Sequence, residues 1–367
     1  MVIFTSICSN YLHKARLLAE SVKRNIPDAA FVVCLLEREL DSAITASPSF
    51  DRVVLAKDTW ESGDFDQFIF KHSIVEASTA VKGQFFRYLY KQFPEEQKFV
   101  YLDPDTYVYD DFVELRDLLD SHPIVVCPHI LQPGNIDMEL SSLAHGVFNL
   151  GFLAVNRSEE ATHFIDWWAD RLSLYCYDDK AKGIFTDQKW VALAPCFYDV
   201  VIFKHRGYDF ATWSLFECGM TEEDGKYFVK GDPLRFIHYS GFGGVLENCI
   251  KNWLPEGAHP FKDLYADYKA KHIESDEDNV SKTPWSYGCY FSGTPISNEA
   301  RIAYREHHYS PHLTINPFDQ WDDLFLSAVE KASSADSKVS LLAKAWRVLR
   351  HEGLGVFIKK VFAKLRG

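Results

Sequence analysis

KFVYLDPDTYVYDDF, residues 98–112, sets a short apolar run (Phe99, Val100, Tyr101, Leu102) directly before two aspartates one residue apart, Asp103 and Asp105. Side chains at i and i+2 of an extended chain point to the same side. Two bare carboxylates placed there repel each other, and one of them would keep its proton. A divalent cation removes the conflict, and hard oxygen ligands of this kind suit Mn²⁺ or Mg²⁺. Pro104 between them lacks an amide hydrogen, so the strand is expected to end here with the carboxylates projecting beyond it. A merely solvated strand end gives the same D-x-D pattern. Asp110 and Asp111 fall past the strand end and read as the lead into the next helix.

The surrounding sequence alternates strand and helix. VIFTSICS reads as a strand and NYLHKARLLAESVKRN as a helix, with Leu12, Ala15, Leu18, Ala19 and Val22 on one face. AAFVVCLLE is a nearly continuous apolar strand, the pattern of a sheet buried on both faces. DRVVLA is a third strand, and one long helix is expected over 68–93, stopped near Pro94. Further on, FVELRDLLD and SEEATHFIDWWADRLSLY read as helices, and PIVVCP, HGVFNLGFLAVNRS and LRFIHYSG contain strands. This alternation predicts an α/β fold with a mostly parallel central sheet. In open α/β sheets ligands sit at the carboxyl ends of the strands, where Asp103, Asp105 and the segment 6–10 all fall. LRFIHYSG adds His238 at a strand end, followed three residues later by Gly241, where backbone can approach a ligand closely.

The chain has 367 residues, 47% of them hydrophobic, which is ample for a large core. Its 9 Trp, 18 Tyr and 28 Phe fit that core and equally fit exposed rings that stack on sugars. A net charge of -13 disfavours nucleic acid as a partner, though a free nucleotide with a metal counter-ion stays open. The eight cysteines are scattered with no C-x-x-C, so they read as reduced thiols of a cytoplasmic protein rather than a zinc site. No signal peptide or transmembrane run is recognisable.

The last third changes character. IESDEDNVSKTPWSYG reads as a polar surface loop and SSADSK as a linker. Residues 336–367 carry eight Lys and Arg against Asp336 and Glu352, a local charge of +6 that leaves -19 for the rest. Leu354, Phe357, Ile358, Val361, Phe362 and Leu365 form a helical stripe beside Lys359, Lys360, Lys364 and Arg366. Such a basic amphipathic helix suits an anionic membrane surface; packing on its own domain or self-association would use the same stripe.

CSNYL, VYLDPDTYVYDDF, FNLGFLAVNRS, FTDQKWVALAP and HYSG occur in this order, and together they resemble glycosyltransferase family 8 and its relatives from bacterial surface-polysaccharide synthesis. The resemblance covers about residues 1–245 and implies a GT-A fold, a Rossmann-like nucleotide-binding architecture. The implied organisation is a GT-A catalytic domain over 1–250, a C-terminal extension over 251–335 with an acceptor-binding role, and the helical tail over 336–367. Asp103, Asp105 and His238 resemble the ligands of a Mn²⁺ (or Mg²⁺) ion on the donor diphosphate. Thr5, Cys8, Asn10 and Tyr11 match the segment that cradles base and ribose, with Leu102 and Pro104 flanking the nucleotide. Arg87 and Lys82 match cations facing the donor, and Gly241 belongs to the histidine-glycine motif. Asn149 and Gly151 match the donor-sugar segment, and Asp187 and Gln188 the acidic-amide pair near the anomeric carbon.

The chain departs from the family pattern at Cys8 and Ser9, where an acidic residue is common. It departs again in FGGVLENCIKNW, where only Lys251 could replace a family lysine, and at Asp209 and Ser214, where relatives carry asparagines. The implied activity is transfer of a sugar from a nucleotide-sugar donor, a UDP-sugar by resemblance, with retention of configuration, to a glycan or lipid-linked acceptor. The implied location is the cytoplasmic face of the membrane, as a peripheral protein. Two other classes stand beside it. A haloacid-dehalogenase-type phosphohydrolase also carries D-x-D, but Thr106 follows too closely and GDPLRF lacks the later acid. A catalytically silent carbohydrate-binding protein would not need the intact TDQ and HYSG segments.

Overall fold

A computed structural model describes residues 1–308 and 316–319. The chain divides into two compact units, Met1–Gly288 and a second that begins at Cys289. The linker and basic tail read from the sequence lie outside the described residues.

The first unit opens with β1 (Val2–Ile7), α1 (Leu12–Asn25), β2 (Ala30–Leu35), α2 (Ser42–Thr45) and β3 (Arg52–Leu55). The expected single helix over 68–93 is instead three: α3 (Phe65–Phe70), α4 (Ile74–Ala80) and α5 (Lys82–Gln92). Ser73 breaks the run with a capping box, in which Glu76 Oε2 accepts from Ser73 N at 2.7 Å while Ser73 Oγ accepts from Glu76 N.

Next come β4 (Lys98–Leu102), β5 (Thr106–Val108), α6 (Val113–Ser121), β6 (Ile124–Pro128), α7 (Ile136–His145), β7 (Phe148–Asn156) and α8 (Glu159–Tyr175). They are followed by the hairpin of β8 (Asp178–Asp179) and β9 (Ile184–Phe185), then α9 (Gln188–Val191) and β10 (Val200–Ile202). The remaining strands are β11 (Phe210–Ala211), β12 (Met220–Glu223), β13 (Lys226–Val229), β14 (Asp232–Pro233) and β15 (Phe236–His238), and α10 (Val245–Trp253) and α11 (Pro260–Glu274) close the unit.

The main sheet runs β10-β6-β7-β4-β1-β2-β3. All its pairings are parallel except those of β7, which runs antiparallel to both β4 and β6. The sequence-predicted α/β architecture with a mostly parallel sheet is therefore present. Ile3, Phe31, Leu102, Phe152 and Phe236 meet in one apolar cluster on the sheet. A smaller sheet runs β11-β15-β5, and its edge strand β5 starts just after the carboxyl end of β4 in the chain. In it β5 pairs antiparallel with β15, setting His238 opposite Thr106. β15 in turn pairs parallel with β11, setting His238 opposite Ala211.

α10 and α11 bury Leu246, Leu254, Phe261 and Leu264 in a second cluster with Phe210 and Ile237, and Tyr239 stacks on Tyr268 with ring centroids 3.8 Å apart. The polar 273–288 segment, read as a surface loop, is docked at its end. Trp285 Nε1 donates to Leu36 O at 2.8 Å, and Val280 and Tyr287 are buried. In the second unit, α12 (Asn298–Ala303) is capped by Ser297. Among the described residues no helix is long and apolar enough to cross a membrane.

Candidate active site

The carboxylate pair sits where the chain leaves one sheet for the other. Asp103 N donates to Gly151 O at 2.8 Å, carrying the β4–β7 ladder one residue further. Pro104 cannot continue it. Thr106 N donates to Asp103 O and Tyr239 N to Asp105 O, at 3.1 and 2.8 Å, so the turn is locked into the small sheet. That register brings the end of β15 against the pair. His238 Nε2 lies 3.1 Å from Asp105 Oδ1 and 3.7 Å from Asp103 Oδ2. One ligand atom from each of Asp103, Asp105 and His238 falls within 4.8 Å of the others.

Two carboxylate oxygens and one imidazole nitrogen on one side form a donor set suited to Mn²⁺ and tolerable for Mg²⁺. Burial alone would lower the His238 pKa, but the Asp105 carboxylate, with Asp209 and Asp103, raises it well above the usual value. The same interaction, against the effect of burial, holds Asp105 below the usual carboxylate range.

The ring fits only because residue 151 is glycine. A Cβ there would lie 2.5 Å from His238 Cε1 and 2.6 Å from Asn149 Oδ1. Asn149 Oδ1 accepts from Gly151 N at 2.9 Å and faces His238 Nδ1 at 3.3 Å. Asp209, known from the sequence only as a departure, is fully buried beside the same ring, with Oδ1 3.5 Å from Nδ1. Burial and the nearby carboxylates push its pKa up to about 6.

Lys82 enters from α5 and is buried. Its Nζ meets Asp187 Oδ2 at 2.9 Å, Leu150 O at 2.9 Å and Asp103 Oδ1 at 3.5 Å, and lies over the Tyr101 ring. Burial would lower its pKa, yet Asp103 and Asp187 raise it. It is a structural cation joining the D-x-D and TDQ segments. Tyr101 Oη donates to the same Asp103 oxygen at 2.6 Å. Gln188 accepts from Leu150 N at 3.1 Å and donates to His145 O at 3.2 Å.

Beside the cluster opens a cleft of about 410 Å³, lined by Cys8, Asn10 and Tyr11 from the end of β1, by Asp103, Pro104 and Asp105, and by Asn149 and His238. A second cavity of about 370 Å³ shares Asn149 with it and is lined by Gln188, Gly241 and Trp213 among others. Thr5 and Leu102 are buried in the sheet and line neither.

Arg87 does not join the site. Five residues beyond Lys82 on a helix is about 140° around the axis, and there its guanidinium binds Asp166 and Asp170 of α8 at 2.6 and 3.2 Å. Lys251 is exposed on α10 and lines neither cavity. Sequence reasoning passed over Glu37, whose buried carboxylate accepts from Ser9 N at 2.8 Å and Ser286 N at 2.9 Å and so holds the loop after β1. Its position at the end of apolar β2 was the available signal.

The curated proteins include YfnD, an uncharacterised protein of Bacillus subtilis strain 168, 23% identical in an alignment of 224 residues that covers 53% of this chain and 71% of that one. Among solved structures, galactosyltransferase LgtC in complex with donor and acceptor sugar analogs is 18% identical, covering 74% of this chain and all of that one at a TM-score of 0.43. Glycosyltransferase GlyE of Streptococcus pneumoniae TIGR4 is 15% identical, covering 77% and 65% of the two chains at a TM-score of 0.43. The family model named glycosyl transferase family 8 matches residues 2–243, well over half of the chain and all of the site. The chain belongs to glycosyltransferase family 8.

Proposed function

We propose that the protein is a metal-dependent glycosyltransferase that moves a sugar from a UDP-sugar, with retention, to a glycan or lipid-linked acceptor of a bacterial surface polysaccharide. The observation that carries this reading is the convergence of Asp103, Asp105 and His238 on one point beside the cleft formed by Cys8, Asn10 and Tyr11. When bound there, Mn²⁺ or Mg²⁺ would act as a Lewis acid on the diphosphate leaving group. Tyr101 and Lys82 orient Asp103 for that purpose. Tyr11, 40% exposed at the cleft wall, would stack on a base. Asn149, which lines both cavities, would meet the donor sugar, with Gly151 making room behind it for the His238 ring. The second cavity then receives the acceptor beside Gln188.

Retention by a front-face route fits these side chains better than a double displacement. Asp187 is buried in its ion pair with Lys82, and the Gln188 amide is engaged at both ends. Neither is free to act as a nucleophile, so the leaving phosphate would take the acceptor proton. The basic tail would hold the enzyme at the cytoplasmic face of the membrane.

Nucleotide-sugar hydrolysis and transfer, assayed with and without Mn²⁺ over a panel of donors, tests the proposal. Asp105→Ala should lose at least a hundredfold in rate. Activity equal to wild type, or activity indifferent to chelator, would remove the metal assignment.

A further inference from the structure

Asp209 is not explained by the fold alone. It precedes the two-residue strand β11 and takes a left-handed backbone conformation, φ +51°. A residue other than glycine persists there only when its surroundings fix it, often at functional sites. Its side chain is 1% exposed, and neither carboxylate oxygen has a hydrogen-bond partner among the described residues. An unsatisfied buried carboxylate is costly and calls for a reason. Next to it lie Cys127, His129 and a cavity of about 20 Å³, room for a single water.

The nearest cationic group is His238 Nδ1, 3.5 Å from Oδ1, an ion-pair distance rather than a short hydrogen bond. Asn149 Oδ1 also faces Nδ1, at 3.3 Å, and accepts from Gly151 N. Asn149 Oδ1 can accept from both through its two lone pairs, and Asp209 is the charged acceptor on that side of the ring, with both oxygens otherwise unengaged among the described residues. An imidazole that binds a metal through one nitrogen keeps its tautomer and direction through the other, commonly against a carboxylate.

We infer that Asp209 is a positioning residue: it holds the proton of His238 on Nδ1, so that Nε2 presents its lone pair to the point shared with Asp103 and Asp105. The inference rests on the metal reading of that cluster. A carboxylate at this position makes the imidazole a stronger donor than a neutral amide would.

The test is Mn²⁺ titration of the full-length, metal-free protein, following free Mn²⁺ by electron paramagnetic resonance. Asp209→Ala should weaken binding roughly 10- to 100-fold. Asp209→Asn keeps an acceptor oxygen in the same place and should lose far less. Equal loss in both variants, or wild-type binding in Asp209→Ala while Asp105→Ala no longer binds, would overturn the inference and leave the metal reading standing. Wild type that takes up no Mn²⁺ would remove both. Should Asp209→Ala fail to fold, the imidazole ¹⁵N spectrum of the Mg²⁺-loaded wild type decides: a proton on Nδ1 of His238 supports the inference, and one on Nε2 overturns it.

Discussion

A single methyl group at residue 151 would sit inside contact distance of His238 Cε1 and Asn149 Oδ1. Both neighbours are buried, and His238 is tied to Asp105 at 3.1 Å, so neither can withdraw without giving up a partner. Gly151→Ala should therefore cost about 1 to 3 kcal/mol, as overpacking in a filled interior usually does. The protein should still fold, with its melting point a few degrees lower, while Mn²⁺ affinity falls at least tenfold because the ring is pushed off the cluster. Melting curves and Mn²⁺ titration of the same sample separate the two effects, and unchanged affinity would show that the ring is not held where Gly151 places it. Asp103, Asp105 and His238 were readable in the sequence because each is a polar residue ending an apolar run. Asp209 was not, because β11 is too short to carry a pattern and the pairing that sets it against His238 is long-range. Arg87 misled for a helical reason: it shares α5 with Lys82 but not its face.

Pairing between elements is where sequence reading lost most. The apolar alternation foretold β1, β2, β4, β6 and β7, yet not that β7 reverses direction between β4 and β6. Residue types do not encode strand direction when both faces are buried. One contact between elements makes a prediction of its own. His13 of α1 and His272 of α11 meet with their Nε2 atoms 3.2 Å apart. The pair can share one proton but cannot hold two without repulsion. Burial first, then His272, with Lys14 and Arg16 adding to it and Asp276 opposing, lowers the His13 pKa from 6.5 to about 4. The folded-state value lies below the unfolded one, so between these pH values the unfolded chain binds a proton that the folded chain refuses. Stability is then full above pH 6.5 and falls as pH drops toward 4, by at most about 1.4 kcal/mol per unit from this group. His13→Gln should remove that part of the slope. Urea unfolding of both proteins from pH 7.5 to 4.5 measures it, and parallel curves would refute the assignment.

At the level of the whole chain, charge is divided more sharply than fold. Residues 336–367 hold a local charge of +6 against -19 for the remainder, a contrast visible in the sequence and independent of how the tail is folded. An anionic bilayer repels the body and attracts the tail. Each basic residue near such a surface contributes about 1 kcal/mol at physiological ionic strength, and the attraction fades within a Debye length of about 8 Å. The apolar stripe from Leu354 to Leu365 adds a contribution that salt does not screen. The full-length protein should therefore co-sediment with vesicles containing phosphatidylserine, much less with purely phosphatidylcholine vesicles, and be released only in part by 0.5 M salt. Removing residues 336–367 should abolish sedimentation with both, while Mn²⁺ binding at Asp103, Asp105 and His238 stays as in wild type, because these ligands all lie within the Met1–Gly288 unit. Vesicle binding that survives the deletion would move the membrane contact from the tail to the body. Complete release by salt would leave charge alone, without insertion of the stripe, as its source.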